Sequence, residues 1–155
     1  MGFNNIEIYN GGIKDWRKSG FVLESKKTLP ETEISFIESD GLYSLLQEFD
    51  TTGCQSPEGQ PLLTLLDFRN ANFDNVDPPP QIATTCPTKR FQLDDVLLPQ
   101  VRAKLPRQGT VIILTETGNR DEFVIRYLSQ YHFKTYKSLK YGMRGWLKKR
   151  YPIIR

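Results

Sequence analysis

The sequence predicts an α/β fold with a mainly parallel central sheet flanked by helices. Three observations point to it. Short apolar runs alternate along the chain with segments of helical period. Two of the runs, 62–66 and 110–114, are typical of buried parallel strands. A chain of 155 residues and 17.9 kDa is also long enough for one domain with a sizeable core.

The elements expected in the first half follow from periodicity and turn residues. Gly20 is placed to end the first helix, and Ser39 is placed to cap the second. In order, we expect a strand at 6–9, a turn at 10–12, a helix at 13–19, a strand at 33–37, a helix from 39 with Leu42, Leu45, Leu46 and Phe49 on one face, a loop at 50–61, a strand at 62–66 and an irregular segment at 70–87.

In the second half, a strand at 110–114 is followed at once by polar residues and an amphipathic helix. Pro99 should break or kink the helical segment that precedes this strand. In order, we expect short helices at 93–98 and 100–105, a strand at 110–114, a helix at 121–131 with Phe123, Val124, Tyr127 and Leu128 inward, a strand at 135–139 and a helix at 143–149.

Composition excludes several classes of protein. No apolar run approaches the roughly 20 residues that span a bilayer, and residues 1–10 show no signal peptide. The two cysteines, Cys54 and Cys86, suggest no disulfide framework, so a cytoplasmic protein is the simpler expectation, with a Cys54–Cys86 bridge left open. With His132 as the single histidine, we expect no metal, no cofactor and no histidine-based triad.

Residues 115–120, Thr-Glu-Thr-Gly-Asn-Arg, form the loop between the predicted strand and helix. Such a loop can direct several backbone N–H groups at one point beside a helix N-terminus, which suits an anion or a charged sulfur. The first position holds Thr115, a poor nucleophile with no evident base beside it. The sequence therefore predicts the frame of an active site without its reactive atom.

An internal echo defines the predicted domain boundary. Residues 12–16, Gly-Ile-Lys-Asp-Trp, and residues 142–146, Gly-Met-Arg-Gly-Trp, share a pattern and lie about one small domain apart. Residues 1–24 are therefore predicted to be the tail of a preceding repeat or an N-terminal extension, and 25–155 the domain. Two unrelated glycine turns, each followed by a buried tryptophan, remain the alternative.

We expect Trp146 and Trp16 to be core or packing anchors, because large aromatic side chains favour burial. We also expect the N-terminal tail to dock on the domain through Ile13, Trp16 and Phe21. Leaving such side chains in water is unfavourable by roughly 1.5–3 kcal/mol each.

These motifs resemble the rhodanese-like domain, the three-layer fold of single and tandem sulfurtransferases. Residues 62–69 are similar to the family's apolar strand ending in Asp-x-Arg. Residues 110–121 are similar to its strand and active-site loop, normally Cys-x-x-Gly-x-Arg-Ser, and residues 136–146 to its closing strand, glycine turn and tryptophan. The resemblance covers roughly residues 29–153 and implies a sulfurtransferase frame, with residues 1–24 as the end of a first repeat.

The departures from the family pattern decide the expected function. Thr115 stands at the catalytic cysteine position, Asp121 replaces the usual Ser or Thr, and Pro80-Gln81-Ile82-Ala83 is the best remnant of the usual His-Ile-Pro-Gly-Ala. We therefore expect a catalytically inactive binding or regulatory module within a larger protein. The alternative is a sulfurtransferase that uses a relocated cysteine, Cys86 or Cys54, or a cysteine in a missing first repeat.

The remaining site residues receive the following roles. The loop residues Thr115, Glu116, Thr117, Gly118, Asn119 and Arg120 are candidates for holding a small oxyanion, with Arg120 either binding it or pairing with Glu116, Asp121 or Asp67. Asp121 is expected to cap the helix and, together with Asp67 and Arg69, to brace the loop.

The expected partner is another protein or the preceding repeat, with no membrane involved. A run of basic residues from 134 to 155 contains no acid and fits a solvated helical face better than a nucleic-acid surface. The basic residues are Lys134, Lys137, Lys140, Arg144, Lys148, Lys149, Arg150 and Arg155.

Overall fold

A parallel sheet forms the centre of the molecule, seen here in a computed structural model that describes residues 7–24, 28–69 and 79–154. The strands of these residues are β1 (Ser35–Ile37), β2 (Leu63–Asp67), β3 (Gln81–Ile82), β4 (Thr88–Arg90), β5 (Thr110–Leu114), β6 (Tyr136–Leu139) and β7 (Ile153–Ile154). Five of them form the sheet in the order β1-β6-β5-β2-β4, and every pairing in it is parallel.

Helices cover both faces of this sheet. They are α1 (Gly12–Lys18), α2 (Ser39–Asp50), α3 (Pro99–Arg102), α4 (Asp121–Ser129) and α5 (Gly142–Lys148), with a 3₁₀ helix at Leu93–Leu97. Successive strand residues point to opposite faces, so Ile112 of β5 packs with α2 and α5 while Ile113 packs with α4. The α/β class expected from the sequence, with a mainly parallel sheet flanked by helices, is confirmed.

Trp146 is the largest fully buried side chain of the core. Its ring lies 5.0 Å from that of Tyr151 and 6.2 Å from that of Tyr43, and its Nε1–H donates to the Pro152 carbonyl at 3.2 Å. The core position expected for this tryptophan is confirmed. It anchors α5 against the sheet.

A second, two-stranded sheet and a disulfide lie on the face of the main sheet that α2 and α5 cover. β3 pairs antiparallel with β7, so that Ile82 lies opposite Ile153. Cys54, after α2, is bonded to Cys86, before β4, and both cysteines are buried. The bridge left open by the sequence is therefore present, and it joins segments 32 residues apart.

Several expected elements are wrong or were missed. Residues 7–9 form no strand, because no neighbouring strand pairs with them in the described chain; Ile6 lies outside the described residues. β3 was not expected within 70–87, and residues 70–78 of that segment lie outside the described residues. β4 was missed because its three residues are exposed and two of them are basic. In α4, Phe123 points outward at 63% exposure, and Ile125 is buried instead.

The N-terminal segment does not bury its apolar residues. Every described residue from 7 to 24 is exposed, so the expected docking of Ile13, Trp16 and Phe21 on the domain is wrong. These side chains associate locally instead: the Trp16 ring lies 5.4 Å from that of Tyr9 and 4.7 Å from that of Phe21.

Among the described residues, no helix has the length and apolar character needed to cross a membrane.

The disulfide predicts a measurable contribution to stability. Reduction of wild-type protein should lower the free energy of unfolding by roughly 2–4 kcal/mol, because a covalent link across this separation restricts the unfolded chain. Urea denaturation with and without dithiothreitol measures the change. A Cys54→Ala/Cys86→Ala variant should not respond to the reductant; an equal response in the two proteins would contradict the prediction.

Candidate functional site

The loop of residues 115–120 lies at the carboxyl end of β5, the central strand of the sheet. Ligands and reacting groups collect at this edge in open parallel sheets. The neighbouring strands end beside it: β6 contributes Ser138, and β2 ends at Asp67. The loop leads directly into α4, which begins at Asp121.

Thr115 is tied into a buried hydrogen-bond network and does not face solvent. Its Oγ1–H donates to Oδ1 of Asp121 at 2.6 Å, and Oγ1 of Thr115 accepts the Gly118 N–H at 3.1 Å. The other carboxyl oxygen of Asp121 accepts from Ser138 Oγ at 2.8 Å. Thr115, Asp121 and Ser138 are all buried, with only 1% of the threonine accessible. The hydroxyl therefore fastens the loop to α4 and β6.

Burial changes the acidity of the central carboxyl group. Desolvation raises the pKa of Asp121 to about 7, and the hydrogen bonds from Thr115 and Ser138 lower it by a smaller amount. The nearby charges of Glu116 and Glu122 also raise this pKa. Around neutral pH this carboxyl group is therefore partly protonated.

Helix α5 closes the other side of the loop. The N–H of Met143 donates to the Thr115 carbonyl at 2.9 Å, and the N–H of Arg144 donates to the Glu116 carbonyl at 3.0 Å. A Cβ added to Gly142 would lie 2.6 Å from the Gly118 nitrogen and 2.8 Å from the Thr117 nitrogen. Glycine is required here because the backbone of α5 touches the backbone of the loop.

Asp67 and Arg69 form a buried pair at the end of β2. Arg69 Nε lies 2.9 Å from Asp67 Oδ1, and Arg69 Nη2 lies 2.8 Å from Asp67 Oδ2 and 2.8 Å from the Pro80 carbonyl. These bonds connect β2 to the segment that leads into β3. Through these contacts the pair holds the backbone at Pro80. That the pair also braces the 115–120 loop stays a prediction.

Arg120 points away from the buried network. Its guanidinium lies 4.0 Å from the Glu116 carboxylate, and half of the side chain is exposed. An ion pair at this distance, with one side chain half exposed, contributes little to stability. Arg120 also lines a cavity of about 210 Å³ together with Asp94 and Gln92. Of the pairings expected for this arginine, the structure places Glu116 within reach.

Two expectations about the loop chemistry are wrong. Asp121 does not cap α4 with its side chain: it is the first helical residue, and its carboxyl group binds Thr115 and Ser138. A base is also present beside Thr115, namely this same carboxyl group. Sequence reasoning missed Ser138 and the role of Gly142 because both meet the loop only through the folding of the sheet.

The basic C-terminal run is partly neutralised by α2 and the residue before it. Lys140 Nζ lies 2.7 Å from Glu38 Oε1, and Lys149 Nζ lies 3.0 Å from Asp40. Asp40 also accepts from the Tyr151 hydroxyl at 2.9 Å. Among the basic residues, Arg155 lies outside the described residues.

Comparison with solved structures identifies the architecture. A rhodanese-related protein from Thermoplasma volcanium is similar with a TM-score of 0.56 and 18% identity, over 77% of this chain and 97% of that one. The rhodanese-like domain of an Anabaena protein is similar with a TM-score of 0.56 and 19% identity, over 79% and 80%. The chain has a rhodanese-like fold.

Other comparisons show how far this statement extends. A protein of unknown function from Rhodopseudomonas palustris, described as a possible tyrosine phosphatase, has a TM-score of 0.58 at 12% identity, over 97% of this chain and 100% of that one. No protein-family model and no curated protein matches the sequence. The similarities in this range of identity establish the fold and leave activity to the residues of the site.

The buried carboxyl group predicts how stability depends on pH. The folded state keeps the Asp121 proton up to about pH 7, whereas the unfolded chain loses it near its ordinary value of 3.8. The folded state therefore binds more protons between these values, and the free energy of unfolding should fall as pH rises from about 4 to above 7. The expected loss from this group is roughly 4 kcal/mol.

An Asp121→Asn variant is the matched comparison. Asparagine keeps an acceptor for Thr115 and offers an N–H to Ser138, but it does not titrate. Subtracting its urea-denaturation profile from that of the wild type cancels the other titrating groups. A difference that does not change between pH 4.5 and pH 8 would contradict the assignment.

The threonine hydroxyl is predicted to be a structural group. Thr115→Val should lower the free energy of unfolding by roughly 1–3 kcal/mol, because the Gly118 N–H and the Asp121 carboxyl group each lose a partner. Thr117→Val, two positions along the same loop, serves as the control and should change it far less. Equal effects of the two substitutions in chemical denaturation would show that the network does not stabilise the fold.

Proposed function

We propose that this chain is a catalytically silent rhodanese-like domain that acts as a binding or regulatory module within a larger protein. The rhodanese-like fold supplies the frame. The observation that carries the proposal is the state of Thr115, whose oxygen is already bonded to Asp121 and Gly118 and is inaccessible.

The chemistry of the hydroxyl supports silence. A sulfurtransferase accepts sulfur on a thiolate and holds it as a persulfide, and an alcohol oxygen cannot form one. Asp121 is a base of suitable pKa at 2.6 Å, but the oxygen that it would activate is 1% accessible. A substrate would first have to open the network that holds the loop.

The state of the two cysteines also supports the proposal. Cys54 and Cys86 are bonded to each other and buried, so neither presents a thiolate. This arrangement supports the silent module over a relocated catalytic cysteine. The buried disulfide fits an oxidising compartment, and it fits the cytoplasm if burial protects the bond from reduction. Cytoplasmic localisation stays a prediction. A catalytic cysteine in a preceding repeat likewise stays a prediction.

A small oxyanion at the loop also stays a prediction, and Arg120 is the residue that would carry it. Its guanidinium is half exposed beside the cavity of about 210 Å³. Two features weigh against tight binding: the Gly118 N–H already donates to Thr115, and Asp94 lines the same cavity. We therefore place the binding function with a protein partner, with nucleic acid and membrane outside the proposal.

Transfer of sulfur from thiosulfate to cyanide tests the proposal. The wild type should show no turnover above that of a Thr115→Ala variant, because neither contains a nucleophilic sulfur in the loop. Thr115→Cys places a thiol beside a buried carboxyl group, which disfavours the thiolate. Thr115→Cys/Asp121→Ser removes that group and should therefore exceed the single variant by roughly tenfold, the effect of about one pKa unit on the thiolate fraction.

Each contrary result has a distinct meaning. Wild-type turnover that disappears in Thr115→Ala would show that the loop is catalytic and would end the proposal. Wild-type turnover that persists in Thr115→Ala and disappears in Cys54→Ser/Cys86→Ser would establish the relocated-cysteine enzyme in its place.

A further inference from the structure

Residues 11–24 repeat the closing segment of the domain, residues 141–154, at a constant offset. The two helices have the same length, and their sequences are Gly-Ile-Lys-Asp-Trp-Arg-Lys in α1 and Gly-Met-Arg-Gly-Trp-Leu-Lys in α5. The glycine, the apolar residue, a basic residue, the tryptophan and the last lysine coincide. We name residues 141–154 the closing module and residues 11–24 the N-terminal module.

The backbone repeats at the same offset. Gly11 and Gly12 have φ values of 103° and 59°, and their counterparts Tyr141 and Gly142 have 64° and 56°. After the helix, Gly20 has a φ of 78°, and its counterpart Arg150 has 58°. Two unrelated glycine turns would not be expected to share three left-handed residues at matching positions.

The hydrogen bonds that end each helix also match. In the N-terminal module, the backbone N–H of Ser19 donates to the Asp15 carbonyl at 2.9 Å, and that of Gly20 donates to the Arg17 carbonyl at 3.1 Å. In the closing module, the corresponding donors, Lys149 and Arg150, bond to the Gly145 carbonyl at 3.2 Å and the Leu147 carbonyl at 3.0 Å.

Each tryptophan makes the same contacts within its module. The Trp16 Nε1–H donates to the Val22 carbonyl at 3.2 Å, as Trp146 donates to Pro152 at 3.2 Å. Its ring packs 4.7 Å from that of Phe21, as the Trp146 ring packs 5.0 Å from that of Tyr151. The N-terminal module therefore shares the helix, the turns and the tryptophan contacts of the closing module.

The environments of the two modules are opposite. Trp146 and Met143 are 0% and 2% exposed, whereas their counterparts Trp16 and Ile13 are 37% and 66% exposed. Gly142 is required by the loop that touches it, whereas a Cβ on Gly12 would meet nothing within 4 Å. The N-terminal module thus presents the buried face of a closing helix without the sheet and loop that such a face covers.

We propose that the N-terminal module closes a second rhodanese-like unit, encoded upstream in the same polypeptide, and that its apolar face is the docking surface for that unit. Ile13, Trp16, Phe21 and Leu23 would pack on its sheet. The N–H groups of Ile13 and Lys14 would meet the first two carbonyls of its loop, as those of Met143 and Arg144 meet Thr115 and Glu116.

This proposal deepens the proposed membership of a larger protein and does not depend on the silence of the loop. It also accounts for residues 7–9, which precede the N-terminal module where β6 precedes the closing module. A strand at that position needs flanking strands to pair with, and these would belong to the upstream unit. The described chain therefore leaves these residues without a ladder.

A transplant within the full chain tests whether the N-terminal module is a closing module. Residues 141–154 are replaced by the sequence of residues 11–24, and the control carries the same residues in reversed order, so composition and charge are unchanged. The proposal expects cooperative unfolding and a dispersed amide spectrum for the transplant but not for the reversed control. In a smaller exchange, residues 141–150 are replaced by the sequence of residues 11–20. This variant retains Tyr151 and β7, and it is compared with its own reversed control.

If neither transplant folds better than its reversed control, the proposal is overturned.

The mass of the intact protein, isolated from the cells that produce it, tests whether an upstream unit is the partner of the N-terminal module. A polypeptide longer than 17.9 kDa by at least one further domain, roughly 100 residues, is expected. A 17.9 kDa protein overturns the proposal, and if it dimerises through Trp16 the face belongs to a second copy. Neither measurement involves sulfur transfer, so their failure leaves the proposed catalytic silence untouched, and a 17.9 kDa protein removes only the larger protein from the proposed function.

Discussion

The buried carboxyl group of Asp121 is the constraint on which the site depends. It lies at the start of α4, and it accepts hydrogen bonds from Thr115 in the loop and Ser138 in β6. A carboxyl group removed from water is unfavourable unless its oxygens are bonded or it takes up a proton. Two hydroxyl groups and a raised pKa satisfy that condition here. The same bonds connect a helix, a loop and a strand, so the bonds that stabilise the buried carboxyl group also fix the position of the loop.

This arrangement separates the fold from its chemistry. The strand-loop-helix frame is intact, and α5 holds the loop from the opposite side through the N–H groups of Met143 and Arg144. The hydroxyl group of Thr115 serves as a hydrogen-bond link between the loop and α4. The loop therefore keeps its shape through bonds that occupy its hydroxyl group, and its function must be argued from these residues and not from the fold.

Much of the fold could be predicted because the central elements are strongly patterned. β5 was expected at its observed bounds, and β2, β6, α2, α4 and α5 were expected to within about two residues at each end. Their apolar residues follow the period of the element that they form. β4 and β3 gave no such signal, because a short strand at an exposed edge or in a two-stranded sheet needs few apolar residues.

The site could be located from the sequence but not assembled. The apolar run that stops at Thr115 gave the position of the loop. The bond of Asp121 to Ser138 depends on the position of β6 in the sheet, and the contact of Gly142 with the loop depends on the docking of α5. The bond of Asp121 to Thr115 depends on the path of the loop, and the Cys54–Cys86 bridge joins two segments outside the strands. Trp16 illustrates the same limit: its type favours burial, yet the surface that would bury it is not among the described residues.

Direct titration of the Asp121 side chain tests the central claim most closely. Carbon-13 NMR of the carboxyl group, assigned by its absence from Asp121→Asn, reports its own protonation. A midpoint near pH 7 is the result expected for a carboxyl group buried between two hydroxyls. A midpoint close to the ordinary value of 3.8 would contradict the desolvated carboxyl group on which this account depends.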